Sequence, residues 1–270
     1  MTPVLHGYRV GPLNLDGLRA AAIRITAARD AVSTSAYVAV RDAAAASEWP
    51  TAAGTVTITH PHAFDQADAD GARAVTITAL VYSDSVWSIK TWTIPLETSP
   101  TADTTYPGAV LFIYEAWVSE LGDPINQVAN VGDIQMDVGT PTFNGLSTLS
   151  AGIGTSRQSQ FWVPPTHYLM ITDVAWEASA TMAVLLRWRL FPLAAFDAPA
   201  EAGSFTPPTT AVWRRSEHGA GLALQRTPNL LIPPGAQFEV RAKTTAEAAG
   251  GLTVGIGGRL IPRSAVVLLP

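Results

Sequence analysis

Nine consecutive residues narrow the folds open to this chain more than any other stretch: Met182-Ala183-Val184-Leu185-Leu186-Arg187-Trp188-Arg189-Leu190. Large apolar side chains fall at Met182, Val184, Leu186, Trp188 and Leu190, and Arg187 and Arg189 stand between them. A helix would scatter these positions around its circumference, whereas a strand sends alternate side chains to opposite faces. The same period recurs where Phe238, Val240 and Ala242 alternate with Glu239, Arg241 and Lys243, and where Val75, Ile77 and Ala79 alternate with Thr76 and Thr78. Antiparallel sheet with one face on a core and one face wet follows. Val184, Leu186, Trp188, Phe238 and Val240 are expected on the core side. Arg187, Arg189, Glu239 and Arg241 are expected toward solvent or a neighbouring subunit.

Further strands are predicted around residues 54–60, 86–96, 109–118, 133–138, 168–176 and 252–261. Turn formers separate them, at Ser99-Pro100, Tyr106-Pro107-Gly108, Gly139-Thr140-Pro141, Thr206-Pro207-Pro208 and Ala249-Gly250-Gly251. Short strands punctuated in this way predict an all-β chain, an antiparallel β-sandwich or jelly roll. The one helical candidate, Val40 to Glu48, is Ala-rich and stopped by Pro50, which limits it to a turn or two. Val163-Pro164-Pro165 precedes Leu169 and Ile171 much as Ile232-Pro233-Pro234-Gly235 precedes Phe238 and Val240. Proline has no amide donor and is tolerated where a strand begins, so the echo predicts two equivalent corners of one jelly-roll domain. These signals divide the chain into an N-terminal arm of residues 1–50 that orders on a partner, a β domain over 51–142, and a jelly-roll-like domain over 143–270.

Hydrophobic residues make up 47% of the chain and charged residues 14%, so apolar surface is left over for subunit contacts after a core is filled. A homo-oligomer is therefore expected, with a trimer favoured by analogy with jelly-roll assemblies. The formal net charge is -5 with no run of like charges, which excludes the basic footprint of a nucleic-acid binder. Cysteine is absent, which removes disulfides, thiolate catalysis and cysteine metal sites together. Neither a signal peptide nor a membrane span is expected, since the most apolar late segment is broken by Arg187 and Arg189.

One arrangement invites a metal reading. Gly54, His60-Pro61-His62 and Gly71 resemble the first metal-binding motif of the cupins, and two imidazoles at alternate strand positions can chelate a divalent ion. The carboxylate ligand of that motif would fall at Gln66 or Ala67, although Asp65 and Asp68 lie beside them, and the histidine of the second motif would fall at Phe238. No metal ligand, cofactor or catalytic residue is assigned on this basis. His6, His167 and His218 stand in unrelated segments, and no nucleophile elbow accompanies them. Asp68 with Asp70, and Asp133 with Asp137, read as solvated carboxylates more readily than as a glycosidase pair. Gly250-Gly251 and Gly255-x-Gly257-Gly258 lack the lysine and following helix of a phosphate loop. Among the tryptophans, Trp117, Trp176 and Trp188 read as core. Trp49, Trp87, Trp162 and Trp213 lie near segment ends and are expected in the core or a subunit interface ahead of the alternative, an exposed platform that stacks on sugars.

Four segments carry a resemblance: Asp70-Gly71-Ala72-Arg73-Ala74-Val75-Thr76-Ile77, Asn130-Val131-Gly132-Asp133-Ile134, Gln158-Ser159-Gln160-Phe161-Trp162-Val163-Pro164-Pro165 and Phe238-Glu239-Val240-Arg241-Ala242-Lys243. In this order and spacing the chain resembles a family of virion structural proteins of marine and other environmental tailed phages. Pro165-Thr166 departs from the Pro-Ala-Gly corner usual there. The resemblance implies a non-enzymatic capsid-decorating, head-appendage or head-tail protein located in the virion. Its partners would be other virion proteins, such as the major capsid protein, and it would need no cofactor. A glycan-binding module and a degenerate cupin-like enzyme are the alternatives.

Overall fold

The alternating segment around Trp188 is the strand Met182–Arg189 in the computed structural model of the chain. The structure describes residues 4–5, 8–10, 21–41, 49–60, 62–66, 69–97, 101–104, 109–122, 129–139, 147–197, 205, 211–225, 230–246, 249–266 and 268–269. Among these the fold is all-β, interrupted by single turns of 3-10 helix at Leu193–Phe196 and Arg263–Ala265. Of the helix predicted over Val40 to Glu48, residues 42–48 lie outside the described residues.

The chain divides into two units, each a β-sandwich of two sheets whose strand pairs are antiparallel except for the parallel pair Val4–Leu5 with Leu230–Ile232. One comprises Met1–Arg41, Gln158–Leu193 and Pro208–Pro270, and the other Asp42–Arg157 and Ala194–Pro207. This differs from the contiguous division at residues 50 and 142. Ala21–Val32, part of the expected arm, pairs along Gly250–Pro262 from Ala21↔Leu260 to Val32↔Gly250, so it is an integral edge strand. Its alternation of Ile23 and Ile25 with Arg24 and Thr26 is diluted by alanine, a poor strand former, which weakens the sequence signal.

In the first unit the larger sheet runs Leu268–Leu269, Tyr8–Val10, Val4–Leu5, Leu230–Ile232, His167–Ala178, Gly250–Pro262, Ala21–Val32, with Gly221–Gln225 also paired to His167–Ala178. Its second sheet runs Phe161–Trp162, Gln237–Thr244, Met182–Arg189, Val212–His218, with Val38–Ala39 beside Gln237–Thr244. A bulge between Ile171 and Asp173 shifts the register against Gly258 and Gly257. Before it Tyr168, Leu169, Met170 and Ile171 are all buried, and beyond it burial alternates, with Val174, Trp176 and Ala178 inside.

The two proline corners predicted as equivalent lie side by side. Phe161-Trp162 leads through Pro164-Pro165 from the smaller sheet into His167–Ala178 of the larger, and Leu230–Ile232 leads through Pro233-Pro234 in the opposite sense. They hydrogen bond to each other: the Val163 amide donates to the Ala236 carbonyl at 2.8 Å, and the Gly235 amide donates to the Val163 carbonyl at 3.0 Å. The Trp162 indole N–H completes the joint on the Gly235 carbonyl.

The second unit holds a three-stranded sheet, Val86–Pro95, Ala72–Ser83, Ala109–Leu121, and a four-stranded one, Ser147–Leu149, Ile134–Val138, Val56–Thr59, Thr101–Thr104. The hairpin between Ser83 and Val86 turns on Asp84 and Ser85, both at positive φ, as a two-residue turn with the handedness of a twisted ribbon requires. Val75, Ile77 and Ala79 are fully buried, as their alternation predicts.

One expectation needs correction. Val184, Leu186, Trp188, Phe238 and Val240 are buried, but so are Arg187 and Glu239 on the opposite face, with Leu185 and Ala183 beside them. Arg189 and Arg241 are half-buried. The face is not wet, and the pairing Arg187↔Glu239 places opposite charges on adjacent strands, so that their ion pair offsets part of the cost of burying them.

Candidate functional site

His60 follows directly on Val56–Thr59 and is 2% exposed. Neither of its ring nitrogens has a hydrogen-bond partner within bonding geometry among the described residues. His62 is half-buried and its Nδ1 accepts the Phe64 amide at 3.3 Å. Asp65, beside the position where a cupin carboxylate would fall, is fully buried and already bonded. Its Oδ1 accepts from the amides of Ala72 at 3.0 Å and Val131 at 2.9 Å, and its Oδ2 from the Gly132 amide at 2.7 Å. A carboxylate ringed by backbone donors is held as a structural tie, joining the 62–72 loop to the 130–132 loop. Gly71 belongs to the same tie: a Cβ there would stand 2.4 Å from Asp65 Oδ1 and 2.5 Å from the Phe64 carbonyl oxygen. The glycine of the spacing that resembles a cupin motif is therefore required by close backbone approach. Among the described residues no three His, Asp or Glu side chains gather as metal ligands. Asp68 lies outside them.

Asn130 works beside Asp65. Its side-chain amide donates to the carbonyls of Gly132, Leu149 and Ser150, and its Oδ1 accepts the Gly154 amide. Asp133 accepts the Ala151 amide at 2.9 Å, so it fastens the 150–154 turn. Asp70 is exposed and Asp137 is buried on its strand. His167 is half-buried, with Nδ1 2.9 Å from the Thr166 hydroxyl. His6 and the His218 side chain lie outside the described residues. Gly250, Gly251, Gly255, Gly257 and Gly258 all lie within the strand Gly250–Pro262.

Three of the four tryptophans near segment ends lie in the core, in line with the reading set ahead of a sugar platform. Trp49, Trp87 and Trp162 are 6%, 6% and 0% exposed, because aromatic neighbours cover them. Trp49 stacks on Phe112, Trp87 meets Phe196 and Phe205 edge-on, and Trp162 packs on Phe191. None of the three offers a face for a sugar ring. Trp176 and Trp188 are buried as expected, Trp117 is half-buried, and the Trp213 side chain lies outside the described residues.

Burial holds the His60 imidazole below its ordinary value of 6.5, against the opposing pull of the Asp65 backbone and carboxylate and of Glu97. The unfolded chain therefore binds the proton more readily, and stability is full above about pH 6.5 and falls as pH drops through that value toward the folded pKa. The melting temperature is expected to decline between pH 7 and pH 5, and His60→Leu is expected to flatten that decline. His167, also held low by burial, contributes to the slope that remains. An unchanged slope in His60→Leu would remove His60 from the acid response.

No family model and no curated protein matches the sequence. Solved structures similar to the chain include that of infectious bursal disease virus Gx strain, at 9% identity and TM-score 0.24, covering 91% of this chain and 73% of that one. The Gt strain structure aligns at 8% identity and TM-score 0.20, covering 99% and 81%. The D431N mutant VP2 protein of the same virus, in derived T=1 particles, aligns at 9% and TM-score 0.20, covering 91% and 74%. At these scores the backbones do not superpose well enough to show a common fold.

Proposed function

We propose that this chain is a non-enzymatic structural protein of a virus particle, of the capsid-decoration, head-appendage or head-tail kind found in tailed phages. It works as a homo-oligomer, a trimer by analogy, that contacts other virion proteins. The observation that carries this reading is where the four phage-resembling segments lie. Residues 158–165 and 238–243 pair through Phe161↔Phe238 and form the corner joint of the first unit. The Ser159 hydroxyl donates to the Val240 carbonyl within that joint. Residues 70–77 and 130–134 are fastened together by Asp65 in the second unit. The resemblance thus follows the architecture of both sandwiches, which is what a scaffold shared for assembly would retain. Cryo-EM of purified particles tests it, with two sandwich units expected at a fixed lattice position. Absence of the chain from gradient-purified particles overturns it.

A further inference from the structure

One face of the smaller sheet of the first unit gathers cations and buried hydrogen-bond donors. Alternate residues of Met182–Arg189 and Gln237–Thr244 share it, and the register sets Arg189 opposite Gln237, Arg187 opposite Glu239 and Leu185 opposite Arg241. All of these belong to the first unit. Arg187, Arg189 and Arg241 thus stand with a single carboxylate, Glu239, which Arg187 engages. Lys243 follows two residues beyond Arg241, and Arg215 and Glu217 on the next strand, opposite Leu185 and Ala183 in register, add one residue of each sign. The balance is positive.

Hydrogen bonding is uneven in the same direction. Gln237 is 2% exposed, and neither its side-chain nitrogen nor its oxygen has a partner within bonding geometry among the described residues. The Nε of Arg189 and of Arg241 are buried without one as well, and so is the Nε2 of Gln160, just before Phe161–Trp162 at the edge of this sheet. The Oε1 of Gln160 already accepts from Arg41 Nη1 at 2.9 Å. Buried donors are seldom left unpaired, and several at one place call for a bound acceptor. Burial, and for Arg187 and Arg189 the repulsion of neighbouring arginines, holds all three guanidiniums below the ordinary arginine value. A negative charge among them relieves that repulsion.

We infer that this face binds a small doubly charged oxyanion of the phosphate or sulfate class, held by Arg189, Arg241 and Gln237. Guanidinium forks match the oxygens of such an ion, and its three or four oxygens serve donors that arrive from two strands at once. A dianion also answers the positive balance better than one carboxylate. Isothermal titration calorimetry of the full chain tests it, with sodium phosphate, sulfate, acetate and chloride compared at matched ionic strength. Phosphate and sulfate are expected to bind saturably at millimolar concentration or tighter, and to raise the melting temperature with the logarithm of their concentration. Their general salting-out effect also stabilises, but it does not saturate and acts alike on every variant. Arg189→Gln and Arg241→Gln, shown to be folded by circular dichroism, are each expected to weaken binding about tenfold or more, as the loss of a charge-assisted hydrogen bond does. A wild type without saturable phosphate or sulfate binding overturns the inference whether or not the variants fold. Binding that both folded variants keep in full overturns the site, and acetate binding as tightly as phosphate overturns the class of ligand.

Discussion

Asp65→Ala is expected to destabilise the chain by about 4 kcal/mol or more, the sum of several bonds to one charged group less their non-additivity. The carboxylate accepts from three backbone amides, at Ala72, Val131 and Gly132, in a site with no exposure. Alanine leaves those donors without an acceptor where water does not reach, and each buried orphan costs roughly 1–3 kcal/mol. For a chain of this size the melting temperature should fall by roughly 10 °C. Asp65→Asn should lose less, since one oxygen remains, but its NH2 then faces backbone donors and cannot replace the second. Asp70→Ala, at an exposed position in the same loop, should stay within about 0.5 kcal/mol. Thermal melts of the three variants at neutral pH check this. Asp65→Ala melting within a degree or two of wild type would mean that the loops are held by something other than this carboxylate.

Asp65 also marks how far the sequence could be read. Alternation located the strands whose inward residues are large, as with Val75, Ile77 and Ala79, because burial on a pleated sheet imposes a period of two. The two proline corners were legible for a related reason: a residue without an amide donor has few places to stand in a sheet, so Pro164-Pro165 and Pro233-Pro234 betray equivalent turns. Pairing across long chain separation left no local trace, and so Ala21–Val32 read as an arm although it closes the sheet against Gly250–Pro262. The spacing of His60, His62 and Gly71 was visible but its cause was not. Only the fold brings the Val131 and Gly132 amides, far along the chain, onto the Asp65 carboxylate and so makes it a backbone tie. The charged positions Arg187 and Glu239 failed in a similar way. Alternation gives the two faces of a strand but cannot say that both are covered.

Glu239→Ala is expected to cost about 3–5 kcal/mol, more than the loss of an exposed pair would, because it takes a carboxylate from beside a buried guanidinium. Arg187 is 8% exposed and Glu239 3%, and they are direct cross-strand partners. Burial, with the like charges of Arg189 and Arg241, pushes the Arg187 guanidinium down to about 9, so it remains cationic at neutral pH. With Glu239 gone, Arg187, Arg189 and Arg241 on Met182–Arg189 and Gln237–Thr244 lose the carboxylate that Arg187 pairs with, and their mutual repulsion is less offset. Removing both members of the pair should behave differently. In Arg187→Met with Glu239→Leu the desolvation of two charges is no longer required, and apolar side chains of similar reach can fill the space, so the double variant should recover most of the loss. Arg187→Met alone should be costly as well, since it strands the Glu239 carboxylate. Denaturant unfolding of the two single variants and the double one gives the coupling directly. If the double variant is as unstable as the sum of the singles, the pair is not coupled and the buried face is held by its apolar neighbours Leu185 and Ala183 instead.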